Sequence, residues 1–119
     1  MKAKRALILV ESTKKAMDRA YGEMKRQTGR YAGVTILSFP SFATLGKIIT
    51  STRLELLSVI RKEKPKSIQE LSRLVKRDFK NVYQDVKALA EYGLLELKVQ
   101  GRGKASAPKS LYEEFIFAA

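Results

Sequence analysis

Residues 67–93 constrain the fold more than any other part of the chain. Ser67 and Glu70 form the S-x-x-E pattern of a capping box, in which each side chain satisfies a backbone N–H that the first helical turn leaves free. The helix they open is short, with Ile68, Leu71, Leu74 and Val75 expected to face inward. Three residues follow, Lys76-Arg77-Asp78, and Asp78 is suited to cap the next helix. From about 79 to 92, Phe79, Val82, Val86 and Leu89 recur at helical spacing and predict one apolar side. At 100° per residue Lys80, Gln84, Lys87 and Glu91 fall opposite. Gly93 then gives the chain freedom to leave the helix.

The flanks extend this pattern. Residues 50–64 predict a longer helix, with Thr52 and Glu55 as a capping box or Thr50 as the cap. Leu54, Leu57 and Ile60 lie on one face, with Leu56 beside it. Pro65 ends this helix by excluding right-handed helical geometry at Lys64. After Gly93 the period changes. Residues 94–99 read as a strand, 100–109 as a loop with Gly101, Arg102, Gly103, Lys104 and Pro108, and 111–117 as the return strand. The expectation is a hairpin with a long basic tip.

Residues 1–40 read as strand, helix and strand. ALILV at 6–10 suits a buried strand, and VTILSF at 34–39 a second that Pro40 stops. Between them, Ser12 or Thr13 caps a helix with a stripe of Ala16, Met17, Ala20, Tyr21 and Met24, and Gly29 ends it. Residues 42–49 predict a short apolar helix. The apolar run at 6–10 ends at Glu11, too short for an export signal or a membrane span. The fold class expected is therefore α+β in two parts. Residues 1–49 form an appendage for dimerisation or partner binding, and residues 50–119 form a domain of three helices and a hairpin.

Composition bears on chemistry. Twenty-four Lys and Arg face 12 Asp and Glu, a net charge of +12 on 119 residues. That excess favours a polyanionic partner, with solubility as the plainer explanation. The chain has no Cys and no His, so it offers no thiol nucleophile, no disulfide and no imidazole base. No phosphate loop occurs, because Gly101-Arg102-Gly103 lacks the long glycine-lysine spacing. The reading is a binding protein without catalysis, cofactor or metal, and cytoplasmic.

A short helix, a tight turn and a second helix make up the helix-turn-helix unit, whose second helix enters the major groove of DNA. Lys donates to guanine, and Asn and Gln pair with adenine. Lys80, Asn81, Gln84 and Lys87 are the candidate contacts on the helix, with Lys76 and Arg77 just before it. Tyr83 lies at the edge of the apolar stripe, equally suited to packing and to a phosphate. Arg102 and Lys104, beside two glycines, suit the backbone or minor groove. The plainer account of each is a solvated surface. Arg53, Arg61 and Lys62 read as solvated, and Asp85 and Glu91 as i,i+4 partners or solvent-facing groups.

The block from about Thr52 to Phe117 resembles the winged helix-turn-helix of the MarR/ArsR class of prokaryotic transcription regulators. Ser67-Ile-Gln-Glu-Leu-Ser-Arg-Leu is similar to the first helix of the family's unit. Asn81-Val-Tyr-Gln-Asp-Val-Lys-Ala-Leu is similar to its recognition helix, and Tyr92-Gly-Leu-Leu to the lead into the wing. The resemblance implies sequence-specific binding of double-stranded DNA and a homodimer. It is nearest to small regulators that begin with a strand-helix-strand segment, some encoded beside toxin genes. An antitoxin-like role, masking a toxin through residues 1–49, is the alternative it suggests. An RNA-binding role is a third, disfavoured because most of the 5 Tyr and 5 Phe fall in apolar patterns. Two features depart from the family. Without His or Cys there is no ArsR-type metal sensor, and without a long helical arm neither MarR dimer geometry nor its phenolic-ligand pocket carries over.

Overall fold

The computed structural model describes residues 4–10, 18, 21–22, 33–99 and 106–118. These form an α+β structure in two units, one of residues 1–47 and 112–119, the other of residues 48–111.

The first unit is built on a parallel sheet. Strand β1, Arg5–Val10, lies between β2, Thr35–Phe39, and β5, Glu114–Ala118. Ala6 pairs with Thr35 on one side and with Phe115 on the other. Every residue from Ala6 to Val10 is buried, so both faces of β1 are covered. That is why ALILV reads as a continuous apolar run rather than an alternation. Leu7, Leu9 and Val34 form a core cluster on one face, with Ile36 and Ile116 packed against it. The Glu113 N–H donates to the Lys4 carbonyl at 2.8 Å, fixing the entry of β5 beside β1. Parallel strands cannot be joined by a tight turn. Of the segment connecting β1 to β2, Asp18, Tyr21 and Gly22 are helical. Tyr21 is exposed and so is not part of a buried stripe. Ala16, Met17, Ala20, Met24 and Gly29 lie outside the described residues. Helix α1, Phe42–Ile48, follows β2 and buries none of its residues.

The assignment of residues 111–117 to a hairpin is corrected here. Of these, residues 114–117 lie in β5, and the chain from Tyr112 on belongs to the first unit. The return strand of the hairpin is instead β4, Ser106–Ser110, paired antiparallel with β3, Leu95–Val99. Pro108 sits inside β4 opposite Leu97. Proline has no N–H for a ladder and is excluded from central strands. In a two-stranded ribbon each strand is an edge, so its missing donor can point away from the partner. β5 thus adds a third strand to the two read in residues 1–40.

Among its described residues the second unit holds three helices and this hairpin. They are α2, Ser51–Glu63, α3, Ile68–Val75, and α4, Phe79–Glu91. Thr50, not Thr52, caps α2, its Oγ1 accepting from the Arg53 N–H at 3.2 Å. Ser67 caps α3 in the expected way, with Oγ accepting from the Glu70 N–H at 3.0 Å. The Glu70 carboxylate accepts from the Lys66 N–H at 3.3 Å, one residue earlier than a capping box places it. Lys64 does leave right-handed geometry before Pro65, by turning left-handed at φ 49°. Its N–H closes back on the Ile60 carbonyl, the single bond of an αL cap.

Leu56, Leu57, Ile60, Ile68, Leu71, Val82, Val86, Leu89, Leu94 and Leu95 are all buried in this unit. Three expected core positions differ. Leu54, Leu74 and Phe79 are exposed. Each lies in the first or last turn of its helix, where a neighbouring element need not extend far enough to cover it. Spacing alone gives the direction of a face and not its length.

Candidate nucleic-acid interface

The site grows out of how α3 ends. Val75 is followed by Lys76 in left-handed geometry, φ 56° and ψ 46°. The Lys76 N–H donates to the Arg73 carbonyl at 3.3 Å and the Arg77 N–H to the Ser72 carbonyl at 3.1 Å. This pair of bonds is the Schellman motif, usually completed by glycine. Lysine there carries a steric cost of roughly 1–2 kcal/mol. The motif reverses the chain within three residues and starts α4 at Phe79. Asp78 occupies the cap position as expected, but its side chain makes no cap hydrogen bond.

Helix α4 is held from two sides. Val82, Val86 and Leu89 anchor it in the core. Asp85, 14% exposed, accepts from Arg53 Nε of α2 at 3.0 Å through Oδ1 and from Arg77 Nη2 of the turn at 2.8 Å through Oδ2. Arg53 also donates from Nη1 to the Ile48 carbonyl at 3.1 Å. One carboxylate therefore ties together α2, the turn and α4. This corrects the reading of Arg53 as solvated and of Asp85 as an i,i+4 partner: its partners are 32 and 8 residues away in sequence. Nothing in helical periodicity could have found the first of these. Arg77 is thus engaged inside the unit, and its Nη1 is enclosed with no acceptor among the described residues.

The sides of α4 left uncovered carry the polar side chains. Lys80, Asn81, Tyr83, Gln84 and Lys87 are all exposed, as is Lys76 just before them. Lys80, Gln84 and Lys87 span about 60° of the helix surface, opposite the buried stripe. Two positive charges and one amide thus share one narrow strip, next to a helix N-terminus whose free N–H groups favour anions. On the hairpin, Lys98 and Lys109 are exposed. Lys109 stands opposite Glu96, with Lys98 two residues along the same face. Arg102 and Lys104 lie outside the described residues. Among the described residues no group of three or more acids could hold a metal ion. Nor is any helix long and apolar enough to cross a membrane.

No significant match to the chain was found among curated proteins or among solved structures. One family model does match, that of HVO_A0114, over residues 48–116. The matched span takes in the whole of the second unit and runs on into β5. Because it covers more than half of the 119 residues, the chain belongs to the HVO_A0114 family.

Proposed function

We propose that residues 48–111 are a winged helix-turn-helix that binds double-stranded DNA, with the protein acting as a transcription regulator of the MarR/ArsR kind. Helix α3 and the three-residue turn present α4, which enters the major groove. The β3–β4 hairpin is the wing that lies on the backbone or minor groove, with Arg102 and Lys104 in the sequence that joins its two strands. The observation that carries this reading is the exposed strip of α4. Lys80, Gln84 and Lys87 lie on one side of the helix while Val82, Val86 and Leu89 are buried on the other. A helix so divided is docked firmly and still offers base-reading side chains.

The protein works as a dimer, because two half-sites about one helical turn apart, roughly 34–36 Å, suit a two-fold protein. Among the described residues the order β2-β1-β5 leaves β2 and β5 as edges of the first unit's sheet, and an edge strand is a template for a second copy. The pairing expected of residues 1–49 then falls on an edge of a three-stranded sheet.

A charge of +12 alone gives sequence-blind attraction to DNA, so the deciding readout is sequence preference. The full chain is to be used to select sites from a pool of random duplexes. Its affinity for the selected site is then compared with a scrambled duplex across a salt series. A common sequence should emerge, bound about 10³-fold or more tighter than the scrambled duplex. Gln84→Ala should lose about 1–3 kcal/mol on the selected site only. Arg102→Ala should weaken both duplexes alike and flatten the salt slope by about 1. Equal affinity for every duplex, or tighter binding to single-stranded RNA than to DNA, would refute the reading.

A further inference from the structure

Phe79 and Tyr83 are 48% and 42% exposed, although both lie on the helix that carries the polar strip. They are four residues apart and their rings meet, with centroids 6.0 Å apart and planes 27° from parallel. The pair is therefore a preformed apolar surface whose ordering has already been met in the free protein. It occupies the first two turns of α4. On the helix surface it lies between the buried stripe and the Lys80–Gln84–Lys87 strip, on the flank opposite Asp85. We infer that Phe79 and Tyr83 are specificity-determining residues which contact thymine C5 methyl groups on the wall of the major groove, an inference that rests on the DNA-binding reading above.

Several observations favour this occupant. The N-terminal residues of a recognition helix are the ones that reach base edges. The thymine methyl is the one apolar group that a base edge presents in that groove, and phenylalanine is among its partners. The groove is about 12 Å wide and a helix about 10–12 Å across. A helix that fills it brings its flanks, as well as its outermost face, against the walls. Lys80, which follows Phe79 on the helix, and Lys76, three residues before Phe79 in the chain, are exposed. The core of a protein–protein interface is depleted of lysine, whereas a surface lying against phosphates needs it. Each ring also covers part of the other, which leaves less open face for stacking a single-stranded base than two separated rings would. The selected site should therefore contain thymine at the positions facing the start of α4.

The test replaces thymine by deoxyuracil, one position at a time, in the duplex selected with the full chain. The substitution removes one methyl group and leaves base pairing and charge intact. The wild-type protein should bind about fourfold more weakly for each contacted methyl lost, the value of one buried carbon at about 0.8 kcal/mol. Phe79→Ala and Tyr83→Ala should bind the thymine duplex more weakly and become indifferent to deoxyuracil at the positions each touches. Tyr83→Phe should retain the discrimination, which separates a loss of apolar contact from a loss of the hydroxyl. Circular dichroism of each variant verifies that it is folded. If the wild type selects a sequence but binds thymine and deoxyuracil duplexes equally, the aromatic pair has another role while the DNA-binding reading stands. If it selects no sequence, both fail. If Phe79→Ala keeps full sensitivity to deoxyuracil, Phe79 is not a contact.

Discussion

Asp85 is the residue whose removal tests most sharply how α4 is held. Asp85→Ala deletes the acceptor of Arg53 Nε at 3.0 Å and of Arg77 Nη2 at 2.8 Å. A hydrogen bond to a charged group is worth about 1.5–3 kcal/mol when enclosed. Arg53 is 18% exposed and keeps the Ile48 carbonyl, so its loss lies at the lower end of that range. Arg77 is 32% exposed, and water replaces much of what Asp85 supplied, which brings that pair towards the ~0.2–1 kcal/mol of a surface bridge. Together they give a destabilisation of about 2–3 kcal/mol. With a urea dependence of ~1–3 kcal/mol/M, the unfolding midpoint should fall by roughly 0.7–3 M. The variant also gains one positive charge, so sequence-blind DNA affinity should hold or rise while preference for a selected site declines. Asp85→Asn should lose about half as much, since one amide oxygen can still accept. A double-mutant cycle with Arg77→Ala should show a coupling of at least ~0.5 kcal/mol. A midpoint shift below about 0.3 M for Asp85→Ala would mean that the ion pairs do not hold the helix.

Other outcomes follow from single features of the second unit. Lys76→Gly removes the left-handed strain and should stabilise the protein by about 0.5–1 kcal/mol, net of glycine's greater freedom when unfolded. If Lys76 contacts a phosphate, the same variant should lose about 0.9 from the salt slope, so urea midpoints and salt titrations move in opposite directions. Leu89→Ala, at a fully buried position, should cost ~2–5 kcal/mol in a denaturation experiment. Ser67→Ala removes the cap bond of α3 and should cost ~1 kcal/mol by the same measurement. Deleting residues 112–119 removes β5 from the first unit's sheet. Amide exchange should then accelerate across β1 and β2 while the amides of α2, α3 and α4 keep their protection.

The legible parts of this sequence were those fixed by near neighbours. Ser67 and Glu70 announced α3, Pro65 ended α2, and Gly93, with φ 80°, released the chain from α4. The buried stripe Val82, Val86, Leu89 followed from one period and left Lys80, Gln84 and Lys87 outside. What stayed hidden depends on distant partners. LYEEFIF has the composition of any strand, and its partner is decided by competition between β3, about 20 residues before it, and β1, more than 100 before it. Parallel pairing leaves no turn signal to show which wins. Pro108 argued against the true return strand, because a two-stranded ribbon relaxes the rule that excludes proline. The Arg53–Asp85 bond links two helices whose crossing no local pattern specifies. Phe79 fits the apolar period and yet is exposed, because the period gives the direction of a face and not how far a neighbour covers it.

The central claim is that α4 and the hairpin are the surface that meets DNA. The direct measurement is a two-dimensional amide NMR titration of the full chain with a short duplex, followed residue by residue. The account predicts the largest shifts at residues 76–88, with a second group on the hairpin at 98–109. Amides of β1 and β2 should change little unless the sheet edge also mediates dimer formation. Shifts concentrated in the first unit, with α4 unmoved at saturating duplex, would contradict it.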